Sequence, residues 1–392
     1  MFKIISQDIS EPDFVNDPYK TYKEFFNLPK IFFWKEFNMP VTQDYLIISE
    51  ILKDKRFVRK PSTQFFNELD KNLKPFYIIE TESMFENDNI IHRKLRSPFQ
   101  SFFTKKKINY LIKDIEETLR KLLDKINVDE FDLIKEIAEK LPVIIISKLL
   151  GFPKEMHSQL SEWSNNMVSM YQVSSSYEKK LLAVKASENF SSYIKNFLKN
   201  KKKSNDLISH LKTLKYNEKK ITMDQIVSNV ILLFNAGNEA TTHMIGNSIY
   251  TLLDKKYSYG SSNKENEQLI NELIRYNPPL HFFSRFVKEK VVIDNHVFEE
   301  GSSIGLLLAA GNRDPKIFKK PNDFLPNRSQ INNLSLGIGE HFCLGSHLAK
   351  LELQISLKEI YHRFPNLNLK KKPCYLNSYH FRGLRELKVK IF

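Results

Sequence analysis

The feature that most constrains this chain is one long apolar stretch, residues 222–254, whose spacing predicts a helix of roughly 30 residues. Thr222 with Gln225 three positions on is a capping-box pattern and marks its start. At 1.5 Å per residue such a helix is about 50 Å long, enough to cross a whole domain. Its middle, residues 235–242, reads Asn-Ala-Gly-Asn-Glu-Ala-Thr-Thr, small and polar where the flanks are apolar. That interruption argues against a membrane span and for a helix passing close to something bulky. No run of about 18 consecutive apolar residues occurs, and the first residues lack a signal-peptide pattern, so a cytoplasmic protein with no membrane attachment is expected.

The surrounding pattern is helix-rich with a minor sheet. Most of 104–199 has apolar residues at three- and four-residue spacing, and 344–364 reads as a final amphipathic helix. Alternation predicts strands at 30–34, 45–48 and between 287 and 308, and Asp17-Pro18 opens a helix through Phe26. The expected class is mainly α with a minor β region, in one domain over 1–392. Two cysteines are too few for a disulfide framework, so both thiols are expected to be free. The net charge of +14 comes from dispersed lysines, which reads as a generally basic surface and not as a nucleic-acid site; an acidic protein partner would suit it.

Eleven glycines serve 392 residues, yet three lie in Gly337-Ile-Gly339-Glu-His341-Phe-Cys343-Leu-Gly345. Glycines allow positive φ and close approach of backbone to a flat ligand, and here they bracket a cysteine just before a helix. A helix N-terminus favours thiolate over thiol, and a thiolate in a tight loop is a metal ligand or a nucleophile. A zinc site could draw on His341, Cys343 and His347 but lacks a fourth ligand nearby, while a nucleophile would need a base better placed than His341. A buried cysteine in a glycine turn is the plainest alternative.

The loop resembles the haem-binding signature of cytochromes P450, Phe-Gly-x-Gly-x-His/Arg-x-Cys-x-Gly, at Gly337, Gly339, His341, Cys343 and Gly345, and departs from it at Leu336. Further motifs resemble the family in family order. Glu272 and Arg275 stand at its Glu-x-x-Arg spacing and Arg328 at the downstream arginine, which implies a structural ion trio fixing the cysteine loop. His92 and Arg96 look like its His-x-x-x-Arg helix; with Arg285 and His341 they would hold the haem propionates. Residues 236–241 resemble the segment crossing the oxygen side of the haem, with Ala240 where the family has an alcohol that delivers protons during oxygen activation.

The resemblance implies a cytochrome P450 fold, a triangular helical domain with small sheets around buried haem b, Cys343 as thiolate ligand to iron, and Gly337 beside the cofactor. It implies a monooxygenase that inserts one atom of O2 into a small, largely apolar substrate, with electrons from a separate ferredoxin or flavodoxin and the chain acting as a monomer. Glu239 and Thr241 are the expected proton-handling pair, unless water or a substrate hydroxyl replaces the missing alcohol. Leu232, Asn235, Ala236, Ala240, Leu280 and Phe283 would line the substrate pocket, Asn235 orienting the substrate. A haem-thiolate peroxygenase or isomerase needing no electron donor, and a non-catalytic haem sensor, are the alternatives.

Overall fold

The computed structural model describes all residues except 1, 61, 62, 173, 174, 202–205, 214, 217, 218, 258, 260–262, 329–331 and 392. The long helix runs from Met223 to Asp254, and its start is closed reciprocally: Gln225 N donates to Thr222 Oγ1 at 3.1 Å while Thr222 N donates to Gln225 Oε1 at 3.2 Å. Most of its residues are buried around the whole circumference, as expected of a helix threaded through a core instead of laid on a surface. Helices Lys140–Leu150, His157–Val168, Tyr177–Asn200 and Ser346–Arg363 pack around it. Gly246 permits the close approach of the helical turn Ile134–Ala138, because a Cβ there would stand 2.5 Å from Ile134 Cδ1.

A six-stranded sheet lies apart from the helical core, in the order Ile4–Ile5, Ile31–Trp34, Met39–Thr42, Ser303–Leu307, Phe282–Val287, Phe57–Val58. Strand Phe282–Val287 pairs antiparallel with Ser303–Leu307, Arg285 opposite Ile304. The period of two sends Phe283 and Arg285 to one face while Phe282, on the other, stacks on Phe37 with centroids 4.3 Å apart. Strands Asn368–Leu369 and Lys388–Lys390 form a separate sheet with Glu130–Asp132.

Three local expectations are corrected. Residues 45–48 belong to the helix Tyr45–Ile51, because Asp44 caps it by accepting from Leu46 N and Ile47 N; the β-branched run therefore faces a core from a helix. Leu308 is not the end of a strand but opens the short helix Leu308–Gly311. Within the stretch expected to be helical, Glu130–Asp132 is a strand, paired to the C-terminal residues. The polar stretches 200–206 and 255–267 read as solvated loops; residues 202–205, 258 and 260–262 of them lie outside the described residues, and the second ends in helix Asn263–Tyr276.

Candidate active site

The cysteine loop is built by backbone hydrogen bonds. Cys343 N donates to Leu336 O at 2.9 Å, Gly337 N to Leu334 O at 2.9 Å and Phe342 N to Gly339 O at 3.1 Å, which fold the segment back on itself. Gly337 and Gly339 take φ of +72° and +79°, which the reversal requires and a side chain would resist. At Gly339 a Cβ would also stand 2.5 Å from Leu52 O, so the loop is clamped on the helix of residues 45–51 and its end. The chain then enters helix Ser346–Arg363, with Gly345 at its N-cap.

The loop is tied to the ion trio through one asparagine. Glu272 and Arg275 are fully buried and bidentate, with Nε to Oε2 at 2.7 Å and Nη2 to Oε1 at 2.8 Å; Arg328 Nε reaches Glu272 Oε2 at 3.0 Å. Arg275 Nη1 donates to the backbone oxygens of Asn312 at 2.8 Å and Pro321 at 2.9 Å. The Asn312 side chain accepts from Leu334 N at 2.6 Å and donates to Ser335 Oγ at 2.7 Å, at the root of the cysteine loop. Pairing offsets the desolvation of three buried charges, and the spare donors pin backbone.

Around the loop stand the nitrogen-bearing groups singled out in the sequence. His92 and His341 lie with ring centroids 4.2 Å apart; His92 Nδ1 is 2.7 Å from Met84 O and its Nε2 3.0 Å from Glu340 O. His341 Nε2 is 3.1 Å from Asp88 Oδ1. Burial pushes the His341 imidazole down to about 4 against that bond's pull, with Arg285 and His92 adding to the fall, so His341 is neutral at pH 7. Arg96 Nη2 donates to Phe342 O at 2.6 Å. Arg285 is 5% exposed, its guanidinium lowered to about 9 by burial and then by Arg59, and among the described residues it makes no ion pair; it donates to Ser284 O at 3.0 Å.

The cysteine is buried but not fully covered. Burial raises the Cys343 thiol, opposed by the Gly345 N–H and the Arg96 charge, yet the residue keeps accessible surface. A Cβ on Gly345 would meet nothing within 4 Å. Ala236 is exposed at the centre of an otherwise buried helix, and Leu232, Glu239, Ala240 and His243 are partly accessible along the same side. A deep thiol, an adjacent gap bare of protein atoms and a buried arginine with no carboxylate partner form a donor set that fits a flat, iron-bearing, dianionic group such as haem.

The remaining candidates separate. Leu280 and Phe283 are partly buried; Leu280 bridges to Phe381, and Phe283 lies with Phe85 beside the Arg59 guanidinium. Thr241 is nine residues, about two and a half turns, from Leu232 and so lies on the opposite side of the helix from it, 5% exposed. Asn235 is turned onto Met167, with Nδ2 3.7 Å from Sδ, and its Oδ1 is sealed without a partner, which removes it from the accessible stripe. Glu239 is 3.5 Å from His243 Nε2, and Asn165, with its amide nitrogen turned inward, donates to Glu239 Oε1 at 2.6 Å. Sequence reasoning missed Arg59 and Asp88, which pack on Phe85 and His341; nothing in their local sequence marks them.

Residues 266–379 match the family model described as Cytochrome P450. The chain is 32% identical to the polyketide biosynthesis cytochrome P450 PksS of Bacillus subtilis, over 87% of this chain and 86% of that protein. It is 31% identical to the biotin biosynthesis cytochrome P450 of Bacillus subtilis, over 98% and 99% of the two chains. Among solved structures, that of P450BioI in complex with hexadec-9Z-enoic acid ligated acyl carrier protein superimposes with a TM-score of 0.86 at 30% identity, covering 97% of this chain and all of that one. The testosterone complex of CYP109E1 from Bacillus megaterium gives 0.86 at 27%, covering 98% of this chain and all of that one.

Proposed function

This chain belongs to the cytochrome P450 family, haem-thiolate monooxygenases of the oxidoreductase class, and from that membership we propose a specific assignment of its parts. Cys343 would hold the iron of haem b, in a single domain over 1–392, and the reaction inserts one oxygen atom from O2 into a largely apolar substrate. The observation that carries this reading is the incompletely covered Cys343 at the N-terminus of helix Ser346–Arg363, beside the open space at Gly345, together with the accessible Ala236 side of the long helix. When bound, the haem would supply the oxygen chemistry, with the Cys343 thiolate tuning its iron.

The chain's own groups hold, orient and shield. The Gly345 N–H and Arg96 keep negative charge on Cys343 tolerable against burial. Arg285, His92, His341 and Arg96 would hold the propionates, Gly337 would let the backbone pass close to the ring, and the Glu272–Arg275–Arg328 trio fixes the loop. Glu239, held by the Asn165 amide and 3.5 Å from His243 on the accessible side of the helix, is the group placed to pass protons to the pocket. Leu232, Ala236, Ala240, Leu280 and Phe283 border the substrate and exclude water.

Electrons come from a separate ferredoxin or flavodoxin, which a net charge of +14 suits if that donor is acidic. A cytoplasmic location is consistent with the described helices, none of which is long and apolar enough to cross a membrane. The relatives named for polyketide and biotin biosynthesis, and the fatty acyl ligand of one structural neighbour, support an acyl chain as substrate.

The reduced, carbon monoxide-bound absorption spectrum of the wild type beside Cys343→Ser tests the assignment. A red-shifted thiolate-type Soret band lost in the variant is expected, and its absence from a folded, haem-supplied wild type would refute it. One observation favours a second reading: Ala240 borders the space where the family carries an alcohol, which suits a peroxygenase. Turnover with hydrogen peroxide against turnover with O2 and a reductase separates the two.

A further inference from the structure

Away from the cysteine loop in sequence, three polar side chains meet inside an apolar frame. Glu80, on helix Lys74–Thr81, is 8% exposed, and Tyr171 donates its hydroxyl to Glu80 Oε2 at 2.5 Å. The other oxygen of Glu80 has no hydrogen bond among the described residues. The His380 ring lies 5.2 Å from that of Tyr171 and 4.6 Å from that of Phe381, and no hydrogen bond reaches its nitrogens among the described residues. Phe76 closes the frame edge-on to Tyr171 at 5.9 Å.

The group faces the same space as the long helix. Phe381 bridges to Leu280 and lies 6.3 Å from the His243 ring on the accessible stripe; Met167, which receives Asn235, belongs to the helix that leads into Tyr171. Arg59, which stacks on Phe85 and lies beside Phe283, is near enough for its charge to act on Glu80, Tyr171 and His380.

Burial pushes the Glu80 carboxyl up to about 7 and the His380 imidazole down to about 4, so both sites resist charge. Glu86 neutralises Arg59 at 2.5 Å. A substrate carboxylate would face Glu80 without a free cation, and an ammonium would approach Arg59. A neutral hydroxyl suits both groups, which gather on Tyr171 and have these atoms without a hydrogen bond among the described residues: it would donate to the second Glu80 oxygen and accept from a His380 N–H.

We propose that Glu80, Tyr171 and His380 form a polar pole of the substrate pocket that selects an apolar molecule bearing a hydroxyl group. This rests on the monooxygenase reading and deepens it from an acyl chain to a hydroxylated one. It also moves the polar handle from Asn235 to the far wall.

The test titrates the haem-loaded protein calorimetrically with 1-decanol and with 1-methoxydecane, which keeps the oxygen and loses the donor. The wild type binds the alcohol about tenfold more tightly, the scale of one buried hydrogen bond. Glu80→Leu and His380→Phe, each shown to be folded by an unchanged carbon monoxide spectrum, reduce that ratio to below about threefold. Equal binding of the two probes by the wild type, no heat from either, or a ratio that survives both substitutions would overturn the pole. Loss of the thiolate-type spectrum in the wild type would instead strike the monooxygenase reading, since the heats are read independently of it.

Discussion

Arg275 donates to the backbone oxygen of Asn312 at 2.8 Å, and through this bond a buried ion trio governs a loop with which it shares no covalent neighbour. Glu272 anchors two arginines, and Asn312 converts their position into the position of Leu334 and Ser335.

Arg275→Leu leaves Glu272 buried with Arg328 as its remaining cation and strips three backbone oxygens, those of Asn312, Pro321 and Asp323, of a donor. Removing one member of such a buried set costs roughly 3–5 kcal/mol. Denaturant unfolding of the haem-free chain should show that loss, and the variant should retain less haem on gel filtration. Stability within 1 kcal/mol of wild type would show that the trio is dispensable.

Two glycines of one loop should respond in opposite ways. Gly339→Ala forces a side chain to φ of +79° and into Leu52 O, so it should destabilise even the haem-free chain, by about 1–3 kcal/mol. Gly345→Ala has ordinary φ and open space in front of it; its haem-free stability should match wild type while haem uptake falls. Thermal melts with and without haem distinguish the pair.

Glu352 lies 1% exposed on the helix that follows Cys343, and burial raises its carboxyl to about 8 from an ordinary 4.5. The folded chain therefore keeps a proton that the unfolded chain releases. Stability from this group is full below about pH 4.5 and is lost as the pH rises through 8. Glu352→Gln should flatten that decline and stabilise the protein above pH 8 by on the order of a few kcal/mol, read from denaturation midpoints across pH. An unchanged slope would mean that Glu352 is already ionised when folded.

Ala240→Thr restores an alcohol on the accessible side of the long helix, whereas Thr241 lies across the helix from Leu232. Product formed per reducing equivalent should rise severalfold in Ala240→Thr and change little in Thr241→Ala. The reverse pattern would assign proton handling to Thr241.

Much of the frame was legible because it is local. The Thr222–Gln225 box and the glycine-flanked Cys343 announce a helix start and a bent loop within a few residues of sequence. The helix at 45–51 was misread because Tyr-Leu-Ile-Ile looks like a strand until Asp44 is seen to cap it. Asn235 reads as a pocket residue from its place beside Ala236 and its polarity, and only packing shows it turned onto Met167. The Glu80–Tyr171 contact spans 91 positions and the ring of His380 arrives from another part of the chain, so no spacing rule could join them.

The six-stranded sheet has a consequence for how the chain is made. Its centre joins Thr42 to Leu306, about 260 residues later. At the ~5–20 residues per second of synthesis, the early strands wait tens of seconds for their partner, one edge unsatisfied. High contact order of this kind slows folding and exposes the nascent chain to self-association. Yield in a heterologous host should thus follow chaperone supply and slowed synthesis at reduced temperature as much as haem supply, because the late strand that completes the sheet also leads into the segment that delivers the cysteine.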